Sequence, residues 1–110
     1  MSDQAAQVTP VVVVLPAEID VTNADQVYEH LVAVLSPGVT TVIADMTATL
    51  FCDSSGVHAL MHAFETAGEQ GILMRLAVSP TTSVRRVLQL IGVGQVVPVH
   101  SSLQEALDAS

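Results

Sequence analysis

An aspartate followed by two serines and a glycine is the part of this sequence best suited to chemistry. Residues 51–56 read FCDSSG, between a β-like run at 41–45 and an amphipathic helix that starts near Ser55. The simplest role for either hydroxyl is to cap that helix. A phosphate carried there would also be favoured, because unpaired N–H groups and the helix dipole attract anions. It would add roughly 1.5 to 2 negative charges at neutral pH, and beside Asp53 these charges would repel a docked partner.

The same region contains residue types found in hydrolase and metal sites. Asp53, Ser54 and His58 are the types of a catalytic triad, but a Gly-x-Ser-x-Gly string is absent. The three residues also lie within six positions, so His58 should point up the helix, one turn away from Ser54. His58 and His62 are one turn apart, and with Glu65 on the same face they could hold a metal. The simpler interpretation is a solvated helix face. We therefore expect a protein that is not an enzyme and has no metal or other cofactor.

The elements that must position these residues alternate between strand and helix patterns. Apolar, β-branched runs predict strands at 11–15, 39–45, 72–78 and 96–99. The first run has no polar alternation, which is typical of a strand covered on both faces. Apolar residues at helical spacing predict helices that begin near 22–23, 55, 79–80 and 102. Residues 1–7 predict a loose N-terminal segment or a weak edge strand.

Alternating strands and helices predict an α/β fold with a mainly parallel sheet of about four to five strands and about four helices. The length of 110 residues suits a single domain, with its core over about 8–109. The loops after the strands fall near 18–22, 46–54 and 79–82. Because the carboxyl ends of parallel strands share one edge, we expect Asp20 and Asp53 to meet at a common rim.

Composition narrows the choice of partners. Eleven acidic residues against three basic ones give a net charge of -8, which argues against nucleic acid and anionic membranes. Cys52 is the single cysteine, so a disulfide framework is not expected. A chain of this kind is compatible with the reducing environment of the cytoplasm. The N-terminal residues lack the apolar core of a signal peptide, and the apolar runs are too short to span a membrane. We expect a cytoplasmic protein.

The chain resembles the STAS domain, the fold of bacterial anti-sigma factor antagonists, over nearly its whole length. Four pieces carry the resemblance in their order and spacing. They are EID at 18–20, DMT at 45–47, FCDSSG at 51–56, and VSP at 78–80 leading to VRRVLQLIGV at 84–93. The resemblance implies a single STAS-type domain that acts by binding.

The resemblance also implies a partner and a switch. Unphosphorylated antagonists of this family bind an anti-sigma factor serine kinase with a GHKL-type ATP site and free the sigma factor. The kinase phosphorylates the serine directly after the aspartate, here Ser54, and a PP2C-type phosphatase reverses the reaction. Asp20 and Asp53 flank this serine, Ser55 is left as the helix cap, and Gly56 permits close backbone approach. These five residues form the expected partner-binding site of a monomer or weak dimer.

Two positions depart from the family pattern and leave an alternative open. Ala17 stands where glycine is usual before Glu-Ile-Asp, and His58 stands where a small or apolar residue is common. The alternative is a STAS module without phosphorylation, which binds a small ligand or scaffolds a larger regulatory or transport assembly. A deep apolar cavity near the rim would favour this alternative, whereas an exposed Ser54 would favour the switch.

Overall fold

A parallel β-sheet covered by helices forms the centre of the computed structural model, which describes residues 10–109. The strands are β1 (Val11–Val14), β2 (Glu18–Ile19), β3 (Thr41–Asp45), β4 (Phe51–Cys52), β5 (Leu73–Ala77) and β6 (Val99–His100). The helices are α1 (Ala24–Ala33), α2 (Ser54–Glu69), α3 (Ser83–Ile91) and α4 (Leu103–Asp108), with a 3₁₀ turn at Val93–Gln95. None of the described helices is long and apolar enough to cross a membrane.

The main sheet confirms the α/β prediction. Its four strands run in the order β1-β3-β5-β6, and each neighbouring pair is parallel. An α-helix lies between consecutive strands of this sheet in the chain, as crossover connections between parallel strands require. Four strands in this sheet and four α-helices within residues 10–109 match the prediction of a mainly parallel STAS-type domain.

Different helices cover the two faces of the sheet. β3 is buried along its whole length, and its successive side chains point to opposite faces. On one face Leu31 of α1 and Leu60 of α2 belong to the large core. On the other face Ile43 of β3 packs with Ala106 of α4. Burial of one such leucine side chain contributes about 1.5–3 kcal/mol, so α1 and α2 are fixed firmly against the sheet.

The first strand is less covered than its sequence predicts. Residues 11–13 are half-buried, and Val14 is 70% exposed. The reason is that β1 is an outer strand of the sheet formed by the described residues. The loose segment or weak edge strand predicted for residues 1–7 lies outside those residues.

The prediction that α3 begins at Ser79–Pro80 is wrong. The helix begins at Ser83, with Thr82 as its N-cap residue. The Ser79 hydroxyl accepts a hydrogen bond from the Thr81 N–H at 3.3 Å and so holds a turn. A serine followed by a proline suits both a turn and a helix start, which is why the local pattern did not separate them.

The last strand is also displaced from its predicted position. β6 covers Val99–His100 instead of 96–99. The N–H groups of Val96 and Val97 both donate to the carbonyl of Val93 at 2.9 Å, so these residues stay in the turn after the 3₁₀ segment. Of this short run of valines only Val97 is buried, while Val96 is 53% exposed, so the run predicts neither burial nor strand geometry well.

The final helix starts with the predicted cap. The Ser102 hydroxyl accepts from the Glu105 N–H at 3.1 Å, as a serine N-cap should. The Glu105 carboxylate accepts from the N–H of Ser101 at 3.1 Å. In the usual capping box the glutamate accepts from the N–H of the N-cap residue itself. Here Glu105 accepts from the residue before the cap instead.

Candidate functional site

Two short paired strands join the loops that carry Asp20 and Asp53. β2 and β4 run parallel, with Ile19 opposite Cys52. The N–H of Asp53 donates to the carbonyl of Ile19 at 3.2 Å. Each aspartate directly follows its paired strand, so the structure brings the two together at one end of the pair. Ser54 comes next in the chain, and the predicted meeting of the loops at 18–22 and 46–54 is therefore present.

This strand pair was missed in the sequence because each strand has only two residues and shows no periodicity. It is reinforced just before β2, where the carbonyl of Ala17 accepts from Leu50 N–H at 2.7 Å and from Phe51 N–H at 3.2 Å. The departure from glycine at position 17 is therefore compatible with a well-bonded loop.

Asp20 is held by hydrogen bonds within its own loop. Its carboxylate accepts from both the hydroxyl and the N–H of Thr22. These bonds lower the pKa of Asp20, the Thr22 hydroxyl having the larger effect and its N–H the smaller, because hydrogen bonds to a carboxylate favour the charged form. The side chain of Asn23 bonds the Asp20 N–H at 2.9 Å and the Glu18 carbonyl at 2.8 Å. Asp20 is thus presented as a fixed negative charge.

The loop after β3 uses the same turn. The Asp45 carboxylate accepts from the Thr47 N–H at 3.0 Å and from the Thr47 hydroxyl at 2.6 Å. Asp45 is 8% exposed, so little of it can reach a partner. The DMT piece of the family resemblance therefore has a structural role, which is to hold the rim loop that leads to the serines.

Asp53 is the cap of α2, and the prediction that Ser55 is the cap is wrong. The Asp53 carboxylate accepts from the N–H of Ser55 at 2.9 Å and from the N–H of Gly56 at 3.2 Å. Its extended backbone, with φ -95° and ψ -172°, is the conformation usual for an N-cap residue. The helix itself begins at Ser54. Aspartate is as good an N-cap as serine, so the residue type alone could not decide between them.

Asp53→Ala is expected to lower the free energy of unfolding by about 0.5–2 kcal/mol, because it removes both cap hydrogen bonds. Asp53→Asn keeps an acceptor oxygen and should therefore lower the free energy of unfolding by less than Asp53→Ala does. Urea unfolding followed by circular dichroism measures both variants. Equal losses in the two variants would show that the charge of Asp53, and not its cap geometry, stabilises α2.

The two serines occupy different environments. Ser54 is exposed at the first helical position, and Ser55 is half-buried. Ser55 lines an open cleft of about 500 Å³ between α1 and α2, together with Val21, Ala24, Asp25, Tyr28, Glu29, His58, Ala59 and His62. Ser54 is therefore accessible at the surface of the folded protein.

Gly56 allows α2 to lie close to the β2–β4 pair. A Cβ atom at this position would stand 2.6 Å from Cys52 Sγ and 2.7 Å from Ile19 Cγ2, well inside van der Waals contact. The close backbone approach expected at Gly56 is therefore an approach of α2 to the β2–β4 pair within this chain, and not of a partner to the rim. Gly56 is buried, so it shapes the rim by setting the position of the helix.

Cys52 is a buried free thiol, as its apolar context predicts. Burial raises its pKa to about 11, with a smaller contribution from the negative charge of Asp53. The thiol is therefore neutral at physiological pH and is a weak nucleophile. Its place in the FCDSSG stretch serves packing.

The histidine face gives no ligand set for a metal. His58, His62 and Glu65 are all exposed, and the His62 ring stacks on Tyr28 with 4.4 Å between centroids. Residues 10–109 contain no group of three or more His, Cys, Asp or Glu placed to hold a metal ion. The hydrolase alternative also lacks support, because the Asp53 carboxylate bonds helix N–H groups instead of an imidazole.

Exposed apolar side chains flank the acidic rim. Val21 is 75% exposed, Leu50 64% and Phe51 50%, and we call these three the rim patch. Val21 lies after β2, Leu50 lies just before β4, and Phe51 is the first residue of β4. Leu50 and Phe51 are neighbours in the chain, and contiguous exposed apolar area beside charged residues is typical of protein-binding surfaces. Sequence reasoning missed the rim patch, although Phe51 belongs to the stretch it singled out.

The fold and the rim define a STAS domain, and comparison with protein families agrees. The family model of the STAS domain matches residues 3–106, so the chain belongs to this family. No curated protein sequence matches the chain.

Several solved structures share this fold. An anti-sigma factor antagonist from Mycobacterium paratuberculosis is 26% identical, with a TM-score of 0.78 over 89% of this chain and 82% of that one. An anti-sigma-factor antagonist (STAS) domain protein from Planctomyces limnophilus is 24% identical, with a TM-score of 0.74 over 94% and 98%. A sulfate transporter family protein from Wolinella succinogenes is 19% identical, with a TM-score of 0.73 over 94% and 88%. The fold therefore occurs in both antagonists and transporter proteins.

Proposed function

We propose that this chain is an anti-sigma factor antagonist that is switched off by phosphorylation of Ser54. In its unmodified form it binds an anti-sigma factor serine kinase with a GHKL-type ATP site and so releases the sigma factor. The observation that carries the proposal is the exposed Ser54 at the start of α2, directly after Asp53, with β4 paired to the strand that ends just before Asp20. The likeness to an antagonist at 26% identity supports it.

The rim suits a partner that buries the switch. The rim patch supplies apolar contact area, and Asp20 and Asp53 supply fixed negative charge. A phosphate on Ser54 would add charge of the same sign beside them, and burying these like charges together under a docked partner is costly. Ser55 and Gly56 contribute by placing the first turn of α2. The protein acts by binding and not by catalysis, in the cytoplasm, as a monomer or weak dimer.

We expect the cognate kinase, given ATP, to place one phosphate on Ser54, because this hydroxyl is exposed while Ser55 is half-buried. Incubation with each GHKL-type anti-sigma kinase of the source organism, followed by phosphosite mass spectrometry, tests this. Ser54→Ala should abolish the modification, whereas the matched variant Ser55→Ala should retain it. A PP2C-type phosphatase should then remove the phosphate.

Two results would defeat the proposal. One is a phosphate on Ser55 that persists in Ser54→Ala. The other is the failure of every such kinase both to modify Ser54 and to bind the chain.

The structure gives less support to the alternative, a module that binds a small ligand or scaffolds an assembly. The cleft beside Ser55 is open, and the likeness to a transporter protein at 19% identity concerns the fold alone.

A further inference from the structure

We propose that the open cleft between α1 and α2 receives a basic segment of the partner, whose cationic side chains pair with Asp25 and Glu29. This inference rests on the proposed function and names the chemistry of the partner surface beside the switch. The cleft holds about 500 Å³, and both residues line it. Both are exposed on α1, and neither carboxylate forms a hydrogen bond or an ion pair within residues 10–109.

Small side chains explain why the two helices leave a cleft between them. Ala24 of α1 and Ala59 of α2 both line it and are 7% and 8% exposed, so no larger side chain fills the space at these positions. The Tyr28 ring stacks on His62, and its hydroxyl shares a hydrogen bond of 2.9 Å with Thr66, which ties α1 to α2. The cleft is therefore preformed, and a partner pays little ordering cost to enter it.

The cleft is continuous with the rim patch. Val21, one of the three rim-patch residues, lines the cleft, and so does Ser55, the chain neighbour of Ser54. A partner that covers the rim patch and Ser54 therefore also lies over one end of the cleft. Its surface at that point faces the two free carboxylates of α1.

The charge of this part of the chain selects a basic occupant. Residues 1–74 contain no lysine or arginine, and they hold all the acidic residues of the chain except Glu105 and Asp108. Asp25 and Glu29 are one helical turn apart, and like charges at this spacing destabilise a helix slightly. A cationic segment removes this repulsion, and complementary charge across an interface increases both specificity and association rate.

The arginines of this chain do not neutralise the cleft. Arg75 donates to the carbonyl of Ala109 at 3.1 Å, and Arg85 donates to the carbonyl of Val78 at 2.8 Å. The guanidinium of Arg86 is exposed on α3 and has no hydrogen bond or ion pair within the described residues, but Arg86 does not line the cleft. A second copy could present its Arg86 there, although a net charge of -8 opposes such self-association.

A basic segment in the cleft is compatible with an off-switch at Ser54. Ser54 does not line the cleft, and cations held by two carboxylates are neutralised there, so they leave no free positive charge to attract a phosphate. The phosphate would still have to be buried beside Asp20 and Asp53 under the partner, which is costly. The cleft thus adds affinity and selects the partner, while Ser54 controls whether the partner binds.

The first test neutralises the cleft and compares it with a matched pair of charges elsewhere. The double variant Asp25→Asn with Glu29→Gln should weaken binding to the anti-sigma kinase at least about tenfold, because it removes the partners of interfacial cations. Glu65→Gln with Glu69→Gln changes the net charge equally at two exposed residues of α2, and should change affinity less than about threefold. Isothermal titration calorimetry measures both variants, and equal weakening would overturn the inference.

The second test needs no kinase. A synthetic helical peptide with two arginines one turn apart is titrated into the isotope-labelled chain, and the same peptide with glutamine in place of arginine is the control. The amide chemical shifts of Asp25, Glu29 and Ala59 should change in a saturable way with the arginine peptide alone. The double variant should lose this response. Shifts that are absent, or equal for the two peptides, would overturn the inference.

The two tests separate this inference from the proposed function. If no kinase binds the chain, the proposed function fails, while the peptide titration still decides whether the cleft takes a basic segment. Sedimentation of the chain alone identifies the remaining occupant. Self-association that the variant Asp25→Asn with Glu29→Gln abolishes would make a second copy the occupant of the cleft and would overturn the inference.

Discussion

Gly56→Ala is expected to lower the free energy of unfolding by about 1–3 kcal/mol, the usual cost of overpacking a core. The added Cβ would stand 2.7 Å from Ile19 Cγ2 and 2.6 Å from Cys52 Sγ. Ile19 is fully buried and β-branched, so it has few alternative rotamers. Either α2 moves away from the β2–β4 pair or these side chains become strained. Urea unfolding of the variant measures the loss.

Gly68 provides the matched control on the same helix. A Cβ there would meet no atom within 4 Å, so Gly68→Ala should raise stability by about 0.5–1 kcal/mol through helix propensity alone. Cys52→Ala added to Gly56→Ala should recover part of the loss, because it removes the sulfur. A Gly56→Ala protein as stable as the wild type would contradict the packing argument.

The contrast between β3 and β4 shows what the sequence could predict. β3 is a central strand, and its continuous apolar run is a direct consequence of burial on both faces. β4 has two residues, and its existence depends on pairing with β2, which is distant in the chain. Such pairing leaves no periodicity in either segment. The sheet was therefore predictable, and the small strand pair that organises the rim was not.

The site was predicted in part for similar reasons. Asp53, Ser54 and Ser55 are consecutive residues that can each cap a helix, and the tertiary position of β4 decides that Asp53 does so. The rim patch could not be predicted from the sequence, because the exposure of Val21 depends on where the surrounding helices and strands lie in the folded chain. The choice of Ser54 came from the family resemblance, and its exposure at the helix start is compatible with that choice.

Ser54→Asp is expected to weaken binding to the kinase partner at least about tenfold, equivalent to about 1.4 kcal/mol. The new carboxylate would meet the charges of Asp20 and Asp53 in an interface that excludes water, where like charges are costly. The fold should not suffer, because an acidic residue in the first helical turn contributes about 0.3–1 kcal/mol of stability. Ser54→Ala should bind as the wild type does while accepting no phosphate. Isothermal titration calorimetry with the purified kinase measures all three proteins.

Ser54→Asn separates charge from size, because asparagine matches aspartate in shape and carries no charge. If repulsion drives the switch, Ser54→Asn should bind far more tightly than Ser54→Asp. Equal weakening by both variants would mean that the partner fits closely around the serine and cannot accept a larger side chain there. A phosphate would then act by size, and the acidic residues beside Ser54 would have no part in the switch.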